Sequence, residues 1–114
     1  TTRWAKRCLA VERKKGQALF GIIQGSTFHD LRKAHARDIS ALPFDGFAIG
    51  GVSVGEPEAV IHRIIAVTAP LLPANKPRYV MGIGKPHQLV YAVRQGIDMF
   101  DCVLPTRDAR HGRL

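Results

Sequence analysis

Short apolar runs alternate along this chain with longer segments in which apolar residues recur at helical spacing. The apolar runs cover residues 18–23, 47–50, 78–83 and 99–104. Continuous runs of this length, bounded by glycine, proline or polar residues, are typical of strands buried on both faces of a parallel sheet. The pattern therefore predicts four strands.

Each segment between two of these strands has the pattern of an amphipathic helix. The residues predicted to face the core are Phe28, Leu31, His35, Ile39 and Leu42, then Val60, Ile61, Ile64, Ile65 and Thr68, then Leu89, Val90 and Val93. Thr27 is predicted to cap the first of these helices, while Pro57 and Pro86 suit the first turns of the other two. A further basic helix is predicted over residues 1–15, and Gly16 ends it before the first strand.

The predicted order of elements is β-α-β-α-β-α-β after an initial helix, which indicates an α/β fold with a parallel sheet. An open doubly wound sheet and part of a (β/α)8 TIM barrel both fit this order. Four strands make half of such a barrel and leave both sheet edges unpaired. The chain also begins at Thr1 rather than at methionine. We therefore expect a fragment of a longer protein.

The chain is strongly basic, with a formal net charge of +8 and a pI of about 10.2. This balance suits a polyanionic partner such as nucleic acid, although a basic surface facing solvent explains it equally well. The apolar runs are far shorter than the roughly 20 residues that span a bilayer, and we expect a cytoplasmic protein without a membrane partner. Cys8 and Cys102 lie far apart and the histidines form no ligand pattern, so no residue is assigned to a metal.

Polar residues and glycines mark the C-terminal ends of the predicted strands, where parallel α/β folds place their active sites. Asp101 interrupts the fourth apolar run, where a carboxylate costs free energy unless it is paired or has a function. It is either a backbone cap or a nucleophile or general base. The Gln24 amide suits the edge of a heterocycle such as guanine, or stabilises a turn. Gly50 and Gly51 leave room for backbone to approach a flat ligand.

Two basic segments follow the last two strands. Residues 82–86, which include Lys85, form a glycine-rich turn before a helix, and such a turn either binds a phosphate or only connects the two elements. It is neither a dinucleotide-binding fingerprint nor a P-loop. Residues 106–113 are predicted as a polar loop that is either solvated or bound to RNA.

Four blocks of the chain together resemble the queuine tRNA-ribosyltransferases, also called tRNA-guanine transglycosylases. They are FGIIQG at residues 20–25, FDGFAIGGVSVGE at 44–56, KPRYVMGIG at 76–84 and GIDMFDCVLPTR at 96–107. The resemblance covers nearly all of the chain from residue 18 onward. It implies that residues 1–114 form the second half of a catalytic (β/α)8 barrel, with residues 1–16 as a helix that leads into it.

The resemblance also implies roles for individual residues. Asp101 matches the family's nucleophile. The residues matched to base binding are Gln24, Gly50, Gly51, Val52, Tyr79 and Met81. The residues matched to RNA binding are Gly82, Ile83, Gly84, Lys85, Pro86, His87 and Gln88, then Thr106, Arg107, Asp108, Ala109 and Arg110. Val54 is similar to the bacterial branch, which accepts the precursor base preQ1.

The implied reaction exchanges guanine at the tRNA wobble position for preQ1 through a covalent aspartyl-RNA intermediate, in queuosine biosynthesis. The resemblance places the acid/base aspartate in the first half of the barrel and a structural zinc site beyond Leu114, and it implies a homodimer. We expect this chain alone to be inactive and to hold no cofactor. The alternatives are an inactive subunit that only binds tRNA and an unrelated phosphate-binding α/β domain.

Overall fold

The computed structural model describes residues 1–113, and its strands and helices follow the predicted order. The strands are β1 (Phe20–Ile23), β2 (Gly46–Ile49), β3 (Arg78–Val80) and β4 (Met99–Phe100). The helices are α1 (Thr2–Leu9), α2 (His29–Ser40), α3 (Glu58–Thr68), α4 (Pro86–Arg94) and α5 (Leu104–Arg110), with a 3₁₀ turn at Ala69–Leu71. None of the helices within residues 1–113 has the length and apolarity needed to cross a membrane.

The four strands form one parallel sheet in which each strand lies beside the one that precedes it in the chain. An open doubly wound sheet reverses its strand order at a switch point, whereas a TIM barrel adds every strand beside the last. The sequential order therefore decides between the two predicted architectures. The prediction of an α/β fold that forms part of a (β/α)8 barrel is confirmed.

The hydrophobic core lies between the helices and one face of the sheet. Ile23, Phe47, Ile49 and Val80 are completely buried on that face. The predicted stripe of α3 is confirmed, because the buried residues of this helix are Ile61, Ile64, Ile65 and Thr68. On the opposite face of the sheet, Ile22 and Met99 are 37% and 44% exposed, while Ala48 between them is buried. In a barrel, this second face is the one that points inward.

The predicted inner face of helix α2 is confirmed only in part, at Ile39 and Leu42. Arg32, Ala36 and Ile39 are buried, whereas Phe28 and Leu31 are 63% and 59% exposed. The prediction of a Thr27 cap is also wrong, since Phe28 is the N-cap residue and α2 has no side-chain cap. The guanidinium of Arg32 hydrogen-bonds to backbone carbonyls after β1 and β2, and these partners set the rotation of the helix.

The predicted inner face of α4 is wrong at two of its three residues, while the third, Leu89, is half-buried. Gln88 and Ala92 are buried, whereas Val90 and Val93 are 54% and 57% exposed. The small side chain of Ala92 lets the helix backbone lie close to the core. Gln88 can be buried because its Nε2 donates to the Glu58 carboxylate at 2.8 Å.

Several predicted ends of elements are also wrong. β3 ends at Val80 and β4 at Phe100, and residues 104–110 form helix α5 instead of the end of a strand and a loop. Pro105 lies in the first turn of α5, where its missing N–H needs no partner. Helix α1 ends at Leu9, well before residue 15. It has no buried residue, so little packing supports further turns.

Candidate active site

A row of four residues crosses the sheet just beyond its C-terminal ends. The strand register pairs Ile22 with Ala48, Ala48 with Tyr79 and Tyr79 with Met99. Side chains alternate between the two faces of a strand. Continued two residues beyond the paired positions, this register puts four residues in adjacent positions on the inward face, in the order Gln24, Gly50, Met81 and Asp101.

Close contacts around Gly50 support this row. A Cβ atom on Gly50 would lie 3.1 Å from Nε2 of Gln24 and 3.5 Å from Sδ of Met81. It would also meet Cγ2 of Ile22 at 2.7 Å, which is closer than real Cβ contacts. Glycine is therefore required here because neighbouring side chains already fill the space.

Asp101 follows β4 directly and is held by two donors. The Tyr79 hydroxyl donates to its Oδ1 at 2.5 Å, and the backbone N–H of Gly82 donates to the same oxygen at 3.0 Å. Both bonds favour the charged form, so the Tyr79 bond first and the Gly82 bond second hold the pKa of Asp101 below its ordinary value of 3.8. The side chain is exposed, and neither bond uses Oδ2. Asp101 is thus an ionised carboxylate with one oxygen available for chemistry at neutral pH.

Gln24 lies beside Gly50 and Gly51, and its backbone is hydrogen-bonded to a residue of α2. Its backbone N–H donates to Nδ1 of His35 at 2.9 Å. Gly51 has a φ of +65°, and a Cβ there would lie only 2.6 Å from Oε1 of Gln24. Both the backbone conformation and the available space therefore call for glycine. The amide of Gln24 and the peptide of Gly51 form one surface.

The loop from β2 to α3 is tied down by residues that the sequence analysis did not single out. The Glu56 carboxylate accepts the N–H groups of Ser53 and Val54, the second at 3.0 Å. The Ser53 hydroxyl donates to the Gly82 carbonyl at 2.8 Å and so joins this loop to the one that holds Asp101. Val52 was matched to base binding, but the whole residue is only 5% exposed.

The glycine-rich turn before α4 is only partly accessible. Ile83 and Gln88 are buried, whereas Lys85, Pro86 and His87 are exposed. Nε2 of His87 lies 2.9 Å from the Glu58 carboxylate, and this pair ties α4 to α3. The predicted RNA contacts of Ile83 and Gln88 therefore cannot involve their side chains in this conformation.

Gly84 allows the turn to approach the chain that follows Asp101. A Cβ on Gly84 would lie 2.3 Å from Cβ of Cys102. A cleft of about 340 Å³ runs here, and its lining includes Gly82, Lys85, Cys102 and Arg107. Since Gly82 binds Asp101 and Cys102 follows it, this cleft begins beside the carboxylate.

A second cleft, of about 400 Å³, continues along α5. Its lining residues are Lys85, Leu104, Arg107, Asp108, His111 and Arg113. Within α5, Thr106, Arg107, Ala109 and Arg110 are exposed and Asp108 is half-buried. The segment predicted as a basic loop is thus a helix, but it does present positive charge close to Asp101. We call Lys85, Arg107 and Arg113 the basic cleft.

No metal centre is formed by the part of the chain that the structure describes. Among residues 1–113, no three His, Cys, Asp or Glu side chains lie close enough together to hold a metal ion. The residues present therefore do not fit a zinc site, and no chemical step is assigned to a metal.

Barrel enzymes place their chemistry at the C-terminal ends of the strands, and this chain carries an ionised carboxylate there beside a basic cleft. Its fold is that of part of a (β/α)8 barrel, with the candidate site at the end where barrels carry their chemistry. The family model described as queuine tRNA-ribosyltransferase matches residues 1–114. This chain belongs to that family.

Individual relatives agree with the family match. The queuine tRNA-ribosyltransferase of Halalkalibacterium halodurans is 62% identical over 113 residues, which are 98% of this chain and 30% of the relative. Those of Synechococcus elongatus and Sorangium cellulosum are 60% and 59% identical, over 98% and 99% of this chain and 29% and 28% of their own lengths. The chain thus spans less than a third of the length of these curated relatives.

Proposed function

We propose that the protein containing this chain exchanges guanine at the tRNA wobble position for preQ1, in queuosine biosynthesis, with Asp101 as the nucleophile. The observation that carries the proposal is the row of Gln24, Gly50 and Asp101 on the inward face of the sheet. It sets an ionised carboxylate beside an amide and a peptide surface suited to a flat, hydrogen-bonding base.

The proposed reaction has two displacements. Oδ2 of Asp101 attacks the ribose anomeric carbon, the bond from this carbon to N9 of guanine breaks, and guanine leaves with a proton from an acid outside residues 1–114. The ring nitrogen of preQ1 then attacks the same carbon, loses its proton to the conjugate base and releases the carboxylate. Two inversions retain the configuration, as in retaining glycosidases.

Binding of the tRNA is proposed to involve the basic cleft. Lys85, Arg107 and Arg113 line it next to the candidate nucleophile and could contact phosphates on either side of the reacting nucleotide. The net charge of +8 supports this role. We further propose a cytoplasmic homodimer and a structural zinc held outside these residues, while the chain alone stays inactive because it lacks the proton donor.

The test replaces Asp101 with asparagine in the full-length protein. We expect Asp101→Asn to lower guanine exchange into tRNA by at least about 10⁴-fold, because the nucleophile is lost, and to abolish the covalent RNA adduct on denaturing gels. Asp98→Asn is the matched control. Oδ2 of Asp98 accepts the N–H of Arg78 at 2.8 Å, so Asp98 serves the backbone rather than the reaction. An adduct that persists in Asp101→Asn would contradict Asp101 as the nucleophile. Binding of tRNA by an unmutated protein that shows no exchange activity would favour the tRNA-binding subunit instead.

A further inference from the structure

Arg32 is completely buried and binds only backbone carbonyls. Its Nε donates to the Ser26 carbonyl at 2.6 Å. Its Nη2 donates to the carbonyls of Gly50 and Gly51 at 2.8 and 3.1 Å. Its relative exposure is 0%, which makes it the largest of the fully buried side chains. Nothing in the apolar spacing of α2 singles out this residue.

A buried guanidinium without a carboxylate partner is costly. Burial lowers the pKa of Arg32, and only the charge of Glu56 opposes this effect. Within residues 1–113 its Nη1 has no hydrogen-bond partner. An apolar side chain of similar size would fill the same space without this cost. The retained charge therefore suggests a role besides packing.

The three carbonyls belong to two different loops of the candidate site. Ser26 lies in the loop after β1, directly beyond Gln24, and Gly50 and Gly51 lie in the loop after β2. The backbone passes close to the guanidinium stem, since a Cβ on Gly25 would lie 2.8 Å from Cγ of Arg32. Arg32 thus ties together the two loops that carry the base-binding groups.

The hydrogen bonds of Arg32 also set the direction of two N–H donors. In a planar trans peptide, the N–H points opposite to the preceding carbonyl. Because Arg32 holds the carbonyls of Gly50 and Gly51, the N–H groups of Gly51 and Val52 must point away from it. Neither of these N–H groups donates to a backbone oxygen within residues 1–113. Val52 is only 5% exposed, whereas Gly51 is exposed beside the Gln24 amide, so the Gly51 N–H remains available to a ligand.

We propose that Arg32 is a positioning residue for base recognition, which orients the N–H donor of Gly51 and holds it at a set distance from the Gln24 amide. The inference rests on the proposed function, because it names the base as the ligand of this donor. Arg32 does not touch the base in this account. It acts through the peptide groups that it binds from behind.

The proposal predicts that substitution of Arg32 changes base binding and tRNA binding to different extents. Loosening the Gly50–Gly51 peptide weakens binding of guanine, whether it enters from solution or leaves the tRNA. The basic cleft is formed by Lys85 before α4 and by Arg107 and Arg113 in and just after α5. None of these residues is a hydrogen-bond partner of Arg32. Affinity for tRNA should therefore stay nearly constant.

The experiment compares Arg32→Met and Arg32→Lys with Arg37→Met in the full-length protein. Arg37 is the matched control, since it lies on the same helix with an 81% exposed side chain. Guanine binding is measured by calorimetry, and KM values for guanine and for tRNA by isotope exchange. We expect Arg32→Met to raise the Kd and KM for guanine about tenfold or more and the KM for tRNA less than about threefold. Arg32→Lys should raise the Kd and KM for guanine less than Arg32→Met does, because an ammonium keeps the charge but lacks the planar fork.

The outcomes separate this inference from the proposed function. An unmutated protein that exchanges no guanine contradicts the proposed function. A protein that does exchange guanine, but whose Arg32 variants bind it as Arg37→Met does, overturns only the role of Arg32. Equal losses of guanine and tRNA affinity would also overturn it, as would failure of both Arg32 variants to fold, because the side chain would then be structural.

Discussion

The Tyr79 hydroxyl donates a 2.5 Å hydrogen bond to Oδ1 of Asp101, from β3 to the end of β4. Tyr79 is paired with Met99 in the sheet, so Asp101 is its diagonal neighbour on the same face. The bond lowers the pKa of Asp101, and together with burial it raises the pKa of Tyr79 to about 12. At neutral pH the pair therefore consists of a neutral phenol donor and a charged carboxylate.

Replacing Tyr79 with phenylalanine should shift the acid side of the pH profile. Loss of the hydroxyl bond removes the largest cause of the lowered Asp101 pKa, while the Gly82 N–H bond remains. We expect the acid limb of kcat/KM for guanine exchange to move to higher pH in Tyr79→Phe, with a smaller change near neutrality. Tyr91→Phe is the control, since the Tyr91 hydroxyl binds the His62 carbonyl instead. Coincident acid limbs in the two variants would contradict the prediction.

Replacing Gly51 with alanine should weaken base binding beyond its effect on stability. Gly51→Ala and the control Gly16→Ala both place a side chain at positive φ, and each should cost about 1 kcal/mol of unfolding free energy. Only at Gly51 does the new Cβ meet the Gln24 amide, while the space around Gly16 is open. We expect calorimetry to show at least about tenfold weaker guanine binding in Gly51→Ala alone. Equal binding by both variants would refute the tight contact.

Acidic pH should loosen the anchor of Gln24. His35 accepts the Gln24 N–H at Nδ1, so this nitrogen must be unprotonated, and burial lowers the pKa of His35 from its ordinary 6.5. Below pH 6.5, the His35 side chain therefore binds a proton more readily in the unfolded chain than in the folded chain. This contribution to stability is thus complete above pH 6.5 and is lost as the pH falls through the folded-state pKa.

Urea unfolding between pH 5 and pH 7.5 would measure this effect. His35→Asn keeps an acceptor without a titrating group, so its unfolding midpoint should depend less on pH than that of the unmutated protein. His29→Asn, at the start of the same helix, should retain the full dependence. If the unfolding midpoints of His35→Asn and His29→Asn depended equally on pH, the result would contradict the proposed hydrogen bond from Gln24 to His35.

Removing charge from the basic cleft should weaken tRNA binding in a salt-dependent way. We expect Arg107→Ala to lower the slope of log K against log salt by about 1, as for one lost phosphate contact. Guanine affinity should not change. Arg94→Ala is the control for loss of one positive charge, because Arg94 lies at the C-terminal end of α4 and Lys85 of the basic cleft lies at the N-terminal end. Filter binding at several salt concentrations provides the measurement, and equal slopes in the two variants would argue against a phosphate contact at Arg107.

Local patterns account for the order of the elements and for the candidate residues at strand ends. Apolar runs mark β1 to β4, and prolines and glycines punctuate the helices between them. Gln24, Gly51 and Asp101 stand out for the same reason, because each follows or interrupts an apolar run. The roles assigned to them came from the family resemblance, since spacing alone leaves Asp101 as either a cap or a nucleophile.

Contacts between distant segments decided what the sequence left open. The apolar spacing of α2 and α4 allowed more than one rotation, and Arg32 and Gln88 turn inward because their partners lie on other loops and helices. Likewise, only the register of the sheet places Tyr79 against Asp101 and Gln24 beside Gly50. Periodicity reports which residues share a face of one element, whereas register, helix rotation and buried polar partners depend on packing between elements far apart in the chain.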